Sequence, residues 1–442
     1  MHGDTNHGRA MNTPLKFRPA ARSPGENDLR EISERFFSDL ADLTGDGVGI
    51  SRATFGDGET KAMNYVARLA EAEGLGCWRD PAANLVIELP GLDTEAPYII
   101  CGSHLDSVPQ GGNYDGAAGV LAGLLALIRL RRAGIVPPRT VRVMALRGEE
   151  SAWFGVCYLG SSALFGQLAS DDMARPHRDT GKPLRHYMTE AGAAVDRIAA
   201  GDVLVDPKSV AAYLELHIEQ GPVMMARGFP VAVVTGLRGN IRHQNVVCRG
   251  EAGHAGAVPR WLRKDAVLAA ADLLSRYDEH WRALNERGMD LVLTAGIIAT
   301  NPAEHAMSRI PGECGFSLEV RSQSIDTLET FYQLVRSEAD AVGRERGVGF
   351  DFGLRSLTEP AVMDQRWVNH LLTICDRLGL GREALPSGAG HDAAVFANAG
   401  VPSAMIFVRN DHGSHNPEEA MDLDDFLKGA DVLFNALLEP PL

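Results

Sequence analysis

The chain has little cysteine and no pattern in it. Cys77, Cys101, Cys157, Cys248, Cys314 and Cys375 are scattered over 442 residues with no C-x-x-C. Several lie inside apolar runs, so they read as reduced core residues of a cytosolic protein and not as a disulfide framework. No basic block offsets the acidic excess: 43 Lys and Arg face 58 Asp and Glu, a formal charge of −15. That argues against nucleic acid and anionic membrane as partners. Long hydrophobic runs are also missing. The first 27 residues are polar with Gly and Pro, lack the apolar stretch of a signal peptide, and read as a disordered tail or an upstream start ahead of Met11. The longest apolar helix, near 117–128, is too short and too interrupted by Gly to span a bilayer. There is no internal repeat, no low-complexity tract and no G-x-S-x-G to support a serine hydrolase.

What is present is ordinary core material, 45% hydrophobic, in a chain long enough for two or three domains. Residues 28–75 read as helices. Short strands follow at Asn84–Leu89 and Tyr98–Cys101, then a helix over 115–133, a strand in TVRVMAL, and another over Ala211–Ile218. From Gly236 to Leu354 the order is strand, helix, strand, strand, helix, strand. This βαββαβ order is ferredoxin-like and reads as an insertion. The expected layout is a catalytic domain in two segments, 28–235 and 355–442, split by an inserted domain at 236–354. The fold class is α/β throughout.

Five residues follow or end apolar runs in settings that suit a bridged pair of metal ions: His104 and Asp115 in GSHLDSVPQGGNYDGAAGV, Glu150 in RGEES, His217 in ELHIEQGP, and His415 in GSHNPEE. Strand ends on one edge of an open α/β sheet converge in space. Three imidazoles and two carboxylates suit zinc, and the carboxylates also admit manganese or cobalt. A carboxylate bridges two metals and an imidazole does not, so Asp115 is the natural bridge. Asp106, two residues after His104, suits the carboxylate that fixes a ligating imidazole. Adjacent side chains at a strand end diverge, so Glu150 can face a metal while Glu149 faces water as general base. Each motif has a plain alternative. His-x-Asp makes surface hydrogen bonds, paired glutamates solvate, and a strand histidine is often a satisfied core residue. His412 competes with His415, and His391 reads as a capping or supporting residue. Arg321 is an edge arginine or a clamp for a substrate carboxylate, which its planar fork suits.

Together these motifs resemble the amidase, hydantoinase/carbamoylase branch of the di-zinc aminoacylase-like peptidase superfamily, whose members hydrolyse N-carbamoyl-L-amino acids, allantoate, ureidoglycolate and β-ureidopropionate. The likeness runs from about Gly47 to the C-terminus through GISRATFGDGE, DPAANL, GSHLDSVPQGGNYDGAAGV, GEES, ELHIEQGPV, GHAGAVP, PSGAGHDA and SHNPEE, in family order. The resemblance implies one metal on His104, Asp115 and His217, and another on Asp115, Glu150 and His415. Glu149 would be the base, with Asp106 supporting His104. His254 would stabilise the oxyanion, reaching across a homodimer formed by the inserted lid. Gln220 and Arg321 would bind substrate.

Some positions depart from the family pattern. Ser308 and His305, in EHAMSRIPGE, stand where substrate-binding asparagines are usual, and Arg260 and Trp261 follow Pro259 where Met is usual. RGEESAWF differs from the commoner EEGxRF. These departures bear on substrate, not on the metal centre. The expected protein is a cytoplasmic homodimeric amidohydrolase with two divalent ions, zinc first, with manganese, cobalt or nickel as alternatives. Its expected substrate is a small ureido or amide carboxylate; an N-acyl amino acid or dipeptide hydrolase is the alternative, and a non-catalytic metal-binding scaffold a remote one.

Overall fold

The computed structural model describes residues 26–441. The tail expected over 1–27 lies outside the described residues, except that Glu26 and Asn27 open the first helix, Glu26–Thr44. Four apolar runs, Tyr98–His104, Val141–Leu146, Val210–Ile218 and Ser403–Val408, are adjacent parallel strands. Strands buried on both faces need such near-continuous apolar sequence. They form the centre of a nine-stranded sheet. Antiparallel strands Leu85–Leu89 and Val231–Leu237 flank them. The helices Ala117–Ala133 and Leu423–Leu438 pack on one another and on this sheet. Ala117–Ala133 is apolar nearly all round, as a core helix must be.

The insertion builds a second, six-stranded sheet. Its long strands Gly239–Arg249 and Glu313–Ser322 pair antiparallel at the centre. Val292–Thr294 and Ile298–Ala299 flank one side, Gly349–Asp351 and Ser356–Thr358 the other. Every pairing is antiparallel, the spatial order that the βαββαβ reading requires. Helices Ala266–Glu286 and Ile325–Arg346 cover one face and enclose a separate apolar core around Val246, Leu273, Phe316 and Phe331.

Several boundaries differ from the expectation. The strand expected over 291–299 is two short pieces, and the one expected over 349–354 stops at Asp351 and resumes at Ser356. Chain pairing with the second sheet therefore spans Gly239 to Thr358, and Ala361–Val362 rejoins the first sheet. The helices expected over 28–75 are two, with the second at Asp57–Ala72, and the loop between them reaches Asp106 through Thr54. No helix among the described residues is long and apolar enough to cross a membrane.

Candidate metal centre

The four parallel strands deliver their C-terminal ends to one place. His104 is the last residue of its strand, so that strand runs three residues beyond the expected Cys101. Glu149 and Glu150 follow the Val141–Leu146 strand, His217 is the penultimate residue of its own, and His415 lies in the loop after Ser403–Val408. Asp115 does not begin a helix as expected; the helix starts at Ala117. The intervening Gly116 has φ +67°, and a Cβ there would lie 2.6 Å from the His104 ring. Only glycine lets the chain turn that close to the imidazole.

All five ligand candidates meet around Asp115. Its Oδ1 lies 3.3 Å from His104 Nε2 and 3.1 Å from His217 Nε2. Its Oδ2 lies 3.4 Å from His415 Nε2, which lies 3.2 Å from Glu150 Oε1. His104, Asp115 and His217 make one group with ligand atoms within 4.8 Å of one another, and Asp115, Glu150 and His415 make another. The far ring nitrogens are occupied: His104 Nδ1 faces the Asp106 carbonyl at 3.0 Å and His217 Nδ1 faces the Ile218 carbonyl at 2.9 Å. Those contacts place the proton on Nδ1 and turn the Nε2 lone pair inward, the arrangement of a ligating histidine. Asp115 Oδ1 and His217 Nε2 are buried without a hydrogen-bond partner. Two facing acceptors with no donor between them are satisfied by a cation. The donor set therefore fits a pair of divalent ions sharing one carboxylate. The same negative surroundings, Asp115 first and then Glu150, raise the His415 imidazole to about 10.

Glu149 and Glu150 diverge. Glu150 faces His415, whereas Glu149 Oε2 is 3.9 Å from His104 Nε2. Burial pushes the Glu149 carboxyl well up, His104 pulls it back, and Glu150 and Asp392 add to the rise. Asp106 does more than steady His104. Its two oxygens accept the backbone N–H groups of Glu149 and Glu150, each at 3.1 Å, and Oδ2 also accepts Thr54 Oγ1–H at 2.6 Å. It fixes the turn that aims both glutamates.

The other candidates divide. Gln220 is at the centre, donating from Nε2 to Asp115 Oδ2 at 2.8 Å, with φ +62°. Arg321, on the insert, reaches across to donate from Nη1 to the Gly388 carbonyl at 2.8 Å. Among the described residues, no hydrogen bond or ion pair joins His254, His305 or Ser308 to the metal-ligand candidates. His254 and Ser308 are exposed neighbours on the insert, where Ala255 N–H donates to the Ser308 carbonyl at 2.7 Å. His305 Nε2 lies 2.7 Å from Thr300 Oγ1. His391 is a supporting residue: its ring lies 4.3 Å from that of His217, and its Nε2 pairs with Ser387 Oγ at 3.0 Å. Sequence reasoning missed Glu419, Ser414 and Glu215. Ser414 Oγ–H donates to Asp115 Oδ2 at 2.6 Å. Glu215, Glu–x–His with His217, accepts Ser103 Oγ–H at 2.6 Å and the Ala393 N–H at 2.9 Å, so it braces the strands behind the site.

Comparison with known proteins agrees with this geometry. The profile of peptidase family M20/M25/M40 matches residues 100–439. An N-carbamoyl-L-amino acid amidohydrolase of Geobacillus stearothermophilus is 34% identical over 391 residues, covering 88% of this chain and 93% of its own. An allantoate amidohydrolase of Escherichia coli K12 is 31% identical over 386 residues, covering 87% and 91%. Among solved structures, an amidase of the hydantoinase/carbamoylase family from Burkholderia multivorans superposes with TM-score 0.82 at 26% identity, over 92% of this chain and 97% of that one. The chain belongs to peptidase family M20/M25/M40, on the side of its hydantoinase/carbamoylase amidases.

Proposed function

We propose that this protein is a metal-dependent amidohydrolase that cleaves the ureido group of a small carboxylic acid. The observation that carries the reading is Asp115, whose two oxygens serve two separate ligand groups beside the unligated Glu149. His104, Asp115 and His217 would hold one ion, and Asp115, Glu150 and His415 the other, zinc first. Bound there, the ions would acidify a water and polarise the scissile carbonyl. Glu149 would take a proton from the attacking water and pass one to the leaving nitrogen. Its buried carboxyl has a raised proton affinity, which suits an acid as well as a base. Asp106 keeps Glu149 aimed through the backbone bond described above. Arg321 holds the substrate carboxylate, and Gln220 a polar group near the metals. The products are an amine and a carbamate, which releases carbon dioxide and ammonia.

The insert, 236–354 with its edge at Thr358, acts in this reading as a lid and homodimer contact. Ile298, on its edge strand, and Ile297 just before it are exposed, and His254 is exposed where it would complete a partner's site. The six free cysteines support a reducing, cytoplasmic setting. The test is ammonia release from N-carbamoyl amino acids, allantoate, ureidoglycolate, β-ureidopropionate and simple acyl amino acids, with zinc, manganese, cobalt and nickel each restored to stripped protein. Turnover of acyl amino acids alone would overturn the ureido assignment.

A further inference from the structure

Asn240 is the registered cross-strand partner of Arg321, so their side chains stand side by side on one face of the insert sheet. Asn240 is 7% exposed, and its amide oxygen is buried without a hydrogen-bond partner. An unpaired buried amide is costly, so such a group has a use. On its other side Asn240 is registered with Thr358, while Arg321 is registered with Val292.

This place adjoins the metal centre. Arg238, two residues before Asn240, donates its backbone N–H to the Ser387 carbonyl at 3.2 Å. Arg321 binds the next carbonyl, Gly388. Three residues later, His391 packs its ring against that of the ligand candidate His217. The segment from Ser387 to His391 thus ties Arg321, and the start of the strand that carries Asn240, to the centre. Glu319 Oε2 lies 3.0 Å from Arg321 Nε and steadies the guanidinium. Arg321 extends past the shorter Asn240 toward the loop. Because the two side chains are cross-strand neighbours, a carboxylate held by Arg321 would bring its adjoining carbon toward the Asn240 amide.

We propose that Asn240 determines specificity by accepting a hydrogen bond from a donor on the carbon that bears the substrate carboxylate. The class selected is a ureido acid with an O–H or N–H substituent on that carbon, in preference to one with an alkyl side chain. The inference rests on the ureido reading above. Its physical basis is asymmetric: a site built to hydrogen-bond a substituent rejects the analogue that leaves its polar group unpaired.

Three substrates differ only at that carbon: ureidoglycolate has a hydroxyl, N-carbamoyl-L-alanine a methyl and N-carbamoylglycine a hydrogen. The metal-restored full-length enzyme is assayed by substrate loss, with metal content and thermal midpoint confirming that each variant folds. The wild type should favour ureidoglycolate over N-carbamoyl-L-alanine in kcat/KM by roughly 100-fold or more, and Asn240→Leu should close that ratio to below about tenfold. Asn240→Ala carries the same comparison if the leucine variant does not fold. Equal use of the three ureido acids by the wild type, or a ratio unmoved in both variants, overturns the role of Asn240 and leaves the ureido reading standing. No turnover of any ureido acid overturns both.

Discussion

Glu419 accepts the backbone N–H of Asp115 at 3.2 Å, from 304 residues further along the chain. The same Oε1 accepts the Tyr114 N–H at 2.9 Å, and Oε2 lies 2.5 Å from Ser414 Oγ, whose one hydrogen lies between this carboxylate and that of Asp115. One buried carboxylate therefore joins the loop that carries Asp115 to the loop that carries His415. Its fit is tight: a Cβ on Gly112 would lie 2.1 Å from the Glu419 carboxyl. Glu419→Ala should weaken metal binding at least tenfold, because a charge-assisted hydrogen bond is worth about 1.5–3 kcal/mol and several are lost. Gly112→Ala should do the same by pushing Glu419 away. Titration of the stripped protein with zinc reads both, and unchanged affinity in both variants would refute the bracing role.

Glu149→Gln should abolish turnover with metal content near the wild-type level, since it removes a base and no ligand. His217→Ala should lower both, because His217 Nε2 faces Asp115 Oδ1 at 3.1 Å. Metal analysis beside kcat separates the two effects. Equal metal loss in the two variants would show that Glu149 and Glu150 have exchanged roles.

The convergence of His104, Glu150, His217 and His415 is legible in the sequence because each ends or follows an apolar run, and parallel strands share a direction. The ferredoxin-like order of the insert is legible for a similar reason: long amphipathic helices alternate with strands. What is not legible depends on chain returning from far away. Glu419 stands in the SHNPEE motif, but nothing local says that it turns back on the Asp115 N–H. The loop between the first two helices reads only as a gap in helical periodicity, yet its Thr54 caps Asp106 and its Arg52 donates to the Leu105 carbonyl at 2.6 Å. The short strands at Val292–Thr294 and Ile298–Ala299 are edge segments, and edge pairing leaves a weaker pattern than a buried strand.

Arg147 and Glu59 form a fully buried ion pair at the end of the strand that leads to Glu149. Arg147 Nε also donates to the Ala83 carbonyl at 2.9 Å, and Glu59 Oε1 accepts the Gly148 N–H at 3.0 Å. Removing one partner leaves the other charge uncompensated. Arg147→Met should therefore cost about 3–5 kcal/mol, read as a fall in denaturant midpoint. The double variant Arg147→Met with Glu59→Leu should recover some of that loss. A double variant no more stable than Arg147→Met alone would show that packing around the arginine, and not the pair, sets the cost.

Arg321 carries the substrate-charge prediction. It is half-buried, bound through Nε to Glu319 and through Nη1 to the Gly388 carbonyl, and so is held as a rigid fork between the insert and the loop beside His391. A carboxylate arriving there gains charge-assisted bonds at little cost in ordering. Arg321→Ala should raise KM for a ureido acid about 10- to 150-fold, the equivalent of roughly 1.5–3 kcal/mol. The matching primary amide of that acid, with no charge for the fork, should change far less. Arg321→Lys keeps the charge without the fork and should fall between the two. Loss of activity that is equal for the acid and its amide would show that Arg321 only joins the insert to the Gly388 loop, and would remove the carboxylate from the expected substrate.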